Sequence, residues 1–67
     1  MTWEYLIVDA EGGMIDLKPA MGTEHRQSLA DGLGYLGSQR WELVTTMPKT
    51  TLGSTTGITF FFKRPQD

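Results

Sequence analysis

The sequence contains no cysteine and only one histidine, His25, among its 67 residues. Disulfide bonds are therefore excluded, and so is a zinc site built from cysteine and histidine ligands. A domain of this length buries only about 60% of the surface that its unfolded chain exposes, and such domains usually depend on disulfides, a metal or a partner subunit. We therefore expect a single domain, residues 1–67, that forms a homodimer or a higher even oligomer.

Long apolar runs and clustered basic charge are also missing. No segment approaches the roughly 20 apolar residues that a membrane helix needs, and no basic leader precedes an apolar run at the N-terminus. The net charge is −2, and the six basic residues are scattered along the chain. General nucleic-acid binders usually carry a basic stripe. We expect neither a nucleic-acid nor a membrane partner, and we predict a cytoplasmic location, with which the absence of cysteine agrees.

Alternating and branched apolar residues predict strands at residues 3–8, 40–47 and 57–64, and a short strand at residues 14–17 that follows a glycine turn. Pro48 and Pro65 are expected to end the second and third of the long strands. In the strand over residues 40–47, one face is predicted to carry Trp41, Leu43, Thr45 and Met47. Because a short loop joins the last two strands, we expect them to pair antiparallel.

Leu29, Leu33 and Leu36 recur at positions i, i+4 and i+7, which predicts one helix over residues 24–36. Thr23 is the predicted N-cap and Gly37 the predicted C-terminal stop. The expected fold class is α+β, with a small antiparallel-rich sheet in β-α-β-β order, an extra short strand after the first, and one helix on one face. Since the first and last strands are apolar on both faces, one helix leaves an apolar face uncovered, which favours self-association.

Two patterns that suggest catalysis have better structural explanations. Residues 32–37 match G-x-G-x-x-G, but the glycines lie in the last turns of the predicted helix, whereas a dinucleotide fingerprint must open a helix. We interpret them as small residues that let the helix lie close to the sheet. His25 stands beside Glu24 with no nucleophile placed by spacing. We therefore predict a protein that is not an enzyme and has no catalytic residues, metal or cofactor.

Glu4 and Glu42 each follow a tryptophan inside an apolar strand. We favour the interpretation that they are rim carboxylates that discourage aggregation of sheets. The alternative is that they are interface carboxylates paired with Arg40 or Arg64. The strand aromatics are expected to lie mostly in the core, although a few could stack on a nucleobase.

Residues 49–57 offer five hydroxyls, one ammonium and flexible backbone amides, which are groups that hold a phosphate or a ribose. A polar hairpin loop is the more common explanation of such a segment. Seven strand residues span roughly 20 Å, so one chain cannot easily close both Arg40 and this loop on one small molecule. We predict a ligand site shared between subunits, with these candidate residues: Arg40, Trp41, Lys49, Thr50, Thr51 and Ser54.

Three blocks carry a resemblance to a known family: Trp3-Glu4-Tyr5, then Leu33-x-x-Leu36-Gly37 before Trp41-Glu42-Leu43-Val44, and Phe61-Phe62-Lys63-Arg64-Pro65. They resemble domain-of-unknown-function family four-one-seven-seven, a group of short bacterial and phage β-α-β-β proteins, over residues 3–65. That family usually has glycine just before the second tryptophan, where this chain has Arg40. We therefore expect a turn of different shape there, with Arg40 as an added contact.

Most of this family has no assigned activity, but some phage proteins that resemble it are anti-defence sponges that sequester nucleotide immune signals. The resemblance implies a non-enzymatic homo-oligomer that binds a nucleotide-derived small molecule. The alternative is a structural or protein-interaction module with no small ligand.

Overall fold

A computed structural model, which describes residues 2–66, shows one five-stranded sheet with two short helices. The elements in chain order are β1 (Thr2–Glu11), β2 (Met14–Asp16), α1 (Lys18–Met21), β3 (Arg26–Ser28), α2 (Leu29–Ser38), β4 (Glu42–Thr51) and β5 (Ser54–Gln66). The spatial order of the strands is β3-β2-β1-β5-β4, and every neighbouring pair is antiparallel. The antiparallel-rich sheet is confirmed, but strand dominates, so α+β describes this mainly β fold only loosely.

The core lies between one face of the sheet and the two helices. On this face Leu6 of β1 pairs with Phe62 of β5, and Val8 pairs with Phe60. Leu17 and Leu36 close over them, Ile15 of β2 lies on the same face of the sheet, and all three are fully buried. Of the predicted leucine stripe, only Leu36 is fully buried, whereas Leu29 and Leu33 pack at its margin.

The first hairpin agrees with the glycine turn signal. Gly12 and Gly13 both have positive φ, 57° and 79°, which is the backbone of a two-residue hairpin turn. The chain then returns as β2, which confirms the short extra strand. It places Ile15 opposite Ala10 on the core face.

The predicted helix over residues 24–36 starts too early. Residues 26–28 instead form β3, which pairs with β2, and the side chain of Ser28 accepts a hydrogen bond from the Asp31 N–H at 3.4 Å. Ser28 rather than Thr23 is therefore the N-cap of the helix. Residues 18–21, where no element was predicted, form α1, and Pro19 occupies its first turn. Strand pairing and proline at a helix start outweighed the local signals.

The C-terminus of α2 is a Schellman motif, and its stop is not Gly37. The Trp41 N–H donates to the Leu36 carbonyl and the Arg40 N–H donates to the Gly37 carbonyl, both at 3.0 Å. Gln39 is the C-cap. Arg40 follows it with φ of 72°, the left-handed conformation that this motif usually gives to glycine. Arg40 thus adopts the conformation that glycine takes most readily at this position.

The last two strands run further than predicted. β4 continues through Pro48 to Thr51, and β5 begins at Ser54 and continues through Pro65. Pro48 is tolerated because β4 is an edge strand, and Pro65 because the pairing of β5 with β4 ends at Lys63, which leaves that side of Pro65 unpaired. The expected loop over residues 49–56 is therefore mostly a hairpin arm.

A register shift between Leu43 and Thr45 changes which residues of β4 share a face. Leu43 pairs with Phe62 on the core face of the sheet, and Thr45 pairs with Phe61 on the opposite face. The prediction that Leu43 and Thr45 share one face is therefore wrong, because a β-bulge adds a residue to one strand of a pair.

The helices leave much of the sheet uncovered. β4 is held by β5, and every residue of it except Lys49 is exposed. The described chain is elongated, with extents of 41 × 21 × 19 Å. Neither of its helices is long and apolar enough to cross a membrane.

Candidate functional site

Arg64 is the centre of a polar cluster at the end of the sheet where β1 begins and β5 ends. Its Nε donates to Oε1 of Glu4 at 2.7 Å, and its Nη1 donates to the backbone carbonyl of Gln39 at 2.6 Å. The guanidinium carbon lies 4.2 Å from the ring centroid of Trp41. These contacts fix a cation on an aromatic ring, while Arg64 keeps N–H groups that these bonds do not use. Glu4 is thus paired with arginine within one chain.

Arg40 adds a second guanidinium to this end of the sheet. It lies at the joint between α2 and β4, and it is exposed. A non-glycine residue in the left-handed region costs roughly 1–2 kcal/mol, so the sequence tolerates a strained backbone to place a cation here. Strain of this kind concentrates at functional sites.

Two adjoining depressions lie beside the guanidinium groups of Arg40 and Arg64. One, of about 300 Å³, is lined by polar and aromatic residues that include Tyr35, Gln39, Trp41 and Arg64. The other, of about 550 Å³, is shallower and includes Ser38, Arg40 and Arg64. Ligand pockets commonly measure about 300–1,000 Å³. We call the two depressions together the arginine cleft. Glu4 lines both depressions, but its carboxylate is paired with Arg64 and two guanidinium groups outnumber it, so the size and donors of the cleft suit an anionic small molecule.

Lys49 lies far from the arginine cleft, in different electrostatic surroundings. Its Nζ is 3.8 Å from Oδ2 of Asp9 and 3.7 Å from Oε1 of Glu11. A depression of about 180 Å³ beside it is lined by Asp9, Glu11, Met14, Asp16, Arg26 and Lys49. Three carboxylates there oppose two cations, so in a single chain this end of the sheet disfavours a phosphate.

The candidate hydroxyls lie on the hairpin arm beyond the end of β1. Thr50 pairs with Thr55, and Thr51 pairs with Ser54. The turn between them is Leu52-Gly53, and both residues have positive φ, 53° and 82°. The structure thus brings together Arg40 and Trp41, and separately Lys49, Thr50, Thr51 and Ser54. Within one chain the two groups lie at opposite ends of β4.

The fold explains one glycine of the G-x-G-x-x-G match by close packing, whereas a Cβ atom added at Gly34 or Gly37 would meet nothing within 4 Å. Gly32 of α2 contacts Ile15 so closely that a Cβ atom would overlap its Cγ2, which accounts for a glycine of the G-x-G-x-x-G match as packing. His25 Nε2, just before β3, and Gln27 Oε1, on β3, are buried without a hydrogen-bond partner among the described residues. In residues 2–66 no group of three or more acidic, histidine or cysteine side chains could hold a metal ion.

The sequence patterns do not indicate Tyr35 and Gln39 as cleft residues, and they indicate Arg64 only as a partner for a carboxylate. The signal for Arg64 was available, because antiparallel pairing of the first and last strands sets Glu4 opposite Arg64. Tyr35 and Gln39 had no comparable signal, since only the packing of α2 brings them to this end of the sheet.

Comparison of the chain with protein-family models, with curated proteins and with solved structures gives no match.

Proposed function

We propose that this chain is a non-enzymatic, self-associating protein that binds a small phosphorylated, nucleotide-derived ligand in the arginine cleft. The observation that carries the proposal is Arg40, an arginine at the position of a Schellman motif where glycine costs least. Beside it, short hydrogen bonds to Glu4 and to the Gln39 carbonyl hold the Arg64 guanidinium over the ring of Trp41. Guanidinium groups bind phosphate through paired N–H donors, and the aromatic rings offer a surface for a base.

The proposed complete site combines two chains. Arg40 and Trp41 come from one subunit, and Lys49, Thr50, Thr51 and Ser54 come from the arm of another. An anion between them would give the ammonium of Lys49 a third partner besides Asp9 and Glu11. Mixing two binding-deficient variants, Arg40→Ala and Lys49→Ala, would then restore a fraction of intact sites. Normal binding by each single variant, or no recovery on mixing, would contradict a shared site.

The ligand is tested by thermal melting with cyclic nucleotides and ADP-ribose derivatives. A ligand at a hundredfold excess over its dissociation constant stabilises the fold by about 2.7 kcal/mol. The sharpest variant is Arg40→Gly, which removes the cation but suits the φ of 72°. We expect it to melt higher than the unmodified protein without ligand and to lose the ligand-induced shift. A retained shift would show that Arg40 does not bind the ligand.

More specifically, we propose that the protein is a phage-encoded, cytoplasmic sponge that sequesters a nucleotide immune signal without cleaving it. This rests on the resemblance of the three sequence blocks. Ligand recovered unchanged after denaturation of the complex supports a sponge, whereas a converted product identifies an enzyme.

A second candidate is a structural or protein-interaction module with no small ligand. The observation in its favour is the sheet face left uncovered by the helices, where Tyr5, Ile7 and Met47 are exposed. Absence of a melting shift with every nucleotide tested would favour this candidate.

A further inference from the structure

The face of the sheet opposite the helices, which we call the open face, is apolar in its centre. Pairing of β1, β5 and β4 places Ile7, Phe61 and Thr45 in one row across it. The neighbouring rows add Tyr5 on one side and Met47 on the other. Ile7 is 55% exposed, and Tyr5 and Met47 are more so. Soluble proteins that expose such a contiguous patch commonly bury it against a partner.

The edges of the sheet, by contrast, are poorly suited to pairing with another chain. β3 offers only three residues. β4 is long, but it contains Pro48, which has no N–H to donate, and it has register shifts at Leu43/Thr45 and at Lys49/Thr50. Short strands, proline and bulges are the devices by which proteins block edge-to-edge association. A partner is therefore expected to bind the face and not an edge.

We infer that the open face binds the open face of a second copy of this chain, with the strands of the two copies running in opposite directions about a two-fold axis near Ile7 and Phe61. The inference deepens the self-association part of the proposed function and does not depend on its ligand. The 41 and 21 Å extents of the chain give this face a footprint of at most roughly 860 Å², against about 800 Å² per partner in a standard interface.

The charges at the two ends of the open face select the opposed orientation. At the β1–β2 turn, Asp9, Glu11 and Asp16 outnumber Lys49 and Arg26. At the other end Lys63 lies over the ring of Trp3, 4.3 Å from its centroid, and Glu42 pairs across from it. Copies with like ends facing would oppose two acidic ends, which costs free energy. Opposed copies instead set the acidic end of each over the other's Lys63 end, where Lys63 and Glu42 balance, so that repulsion is avoided.

The opposed orientation also brings the two separated groups of candidate residues to the same end of the dimer. The hairpin arm extends past the end of β1, so it projects beyond the Trp3 end of the second copy. The arginine cleft lies at that end too, on the helix side of the second copy's sheet, because residues of α1 and α2 line it. A composite site in this dimer therefore requires the arm, with the Thr50, Thr51 and Ser54 hydroxyls, to curl around the end of the second copy's sheet.

The first test is the mass of the unmodified protein by sedimentation or light scattering, without ligand. We expect twice the 7.5 kDa of one chain at micromolar concentration. Ile7→Glu should raise the dissociation constant at least tenfold. Leu43→Glu is the matched control, because Leu43 is exposed to a similar 48% but lies on the helix-side face. A monomer at high micromolar concentration, or dissociation by the control but not by Ile7→Glu, would overturn the inference.

The orientation is tested by cross-linking, since the chain has no cysteine of its own. Trp3→Cys and Glu11→Cys variants, mixed and treated with a short thiol cross-linker, should yield covalent dimers of the two different chains. Eight strand residues separate these positions by roughly 27 Å, so neither variant alone should cross-link efficiently. Efficient cross-linking of each variant with itself would show copies with like ends facing and would refute the opposed arrangement. These measurements need no nucleotide, so a failed ligand test leaves them interpretable.

Discussion

The two halves of the sheet differ in what covers them. β1 and β2 lie under the helices, where Val8, Ile15 and Leu36 are almost wholly buried. β4 is exposed on both faces, and its Leu43, Val44 and Met47 are each about half exposed although all are large and apolar. Composition therefore does not distinguish core from surface in this chain. The position of a strand relative to the ten-residue helix α2 distinguishes them, and the apolar residues that this helix does not cover are available for binding.

The largest expected effect of a substitution belongs to the covered half. Leu36→Ala removes a side chain that is 0% exposed and leaves a cavity, so we expect it to lower the free energy of unfolding by about 2–5 kcal/mol. Leu43→Ala, the same change on β4, should cost less than half as much. Denaturant unfolding of both variants measures the difference. Equal losses would mean that β4 is covered in solution on its helix side as well.

A smaller effect tests how closely α2 approaches β2. Gly32→Ala places a Cβ atom into Ile15, and overpacking of this kind costs about 1–3 kcal/mol. Gly34→Ala, on the same helix, meets nothing within 4 Å, so the better helix propensity of alanine should stabilise the protein by up to about 1 kcal/mol. The measurement is the melting temperature of each variant, which should fall for Gly32→Ala and rise for Gly34→Ala. Stabilisation by both would show that the helix can move away from the sheet.

The smallest effect concerns the hairpin arm, which extends beyond the covered half. Leu52 is fully exposed with φ of 53°, in a turn that favours asparagine or glycine. Leu52→Asn should therefore raise the free energy of unfolding by roughly 1 kcal/mol, and Leu52→Ala, which keeps a Cβ atom, should raise it much less. No change with asparagine would indicate that the arm opens independently of the rest of the sheet.

Features of the fold that depend on neighbouring residues could be predicted from the chain alone. The alternation of Ile58, Phe60 and Phe62 with Thr59, Phe61 and Lys63 placed the two faces of β5 correctly, and the two glycines after Glu11 marked the first turn. Local alternation and turn chemistry act over a few residues, so they can be seen in the chain. The separation of Arg40 from the Lys49 segment along β4 was also predictable, because the rise per residue of a strand is fixed.

Three features follow from contacts that form on folding: where α2 begins, which residues of β4 share a face, and which arginine lies on Trp41. Residues 26–28 became a strand because β2 offered them hydrogen-bond partners, and the bulge after Leu43 moved Thr45 to the opposite face. Arg64 reaches Glu4, Gln39 and Trp41 through a pairing of residues 60 positions apart in the chain. Such contacts depend on strands that meet only after folding, so no local pattern encodes them.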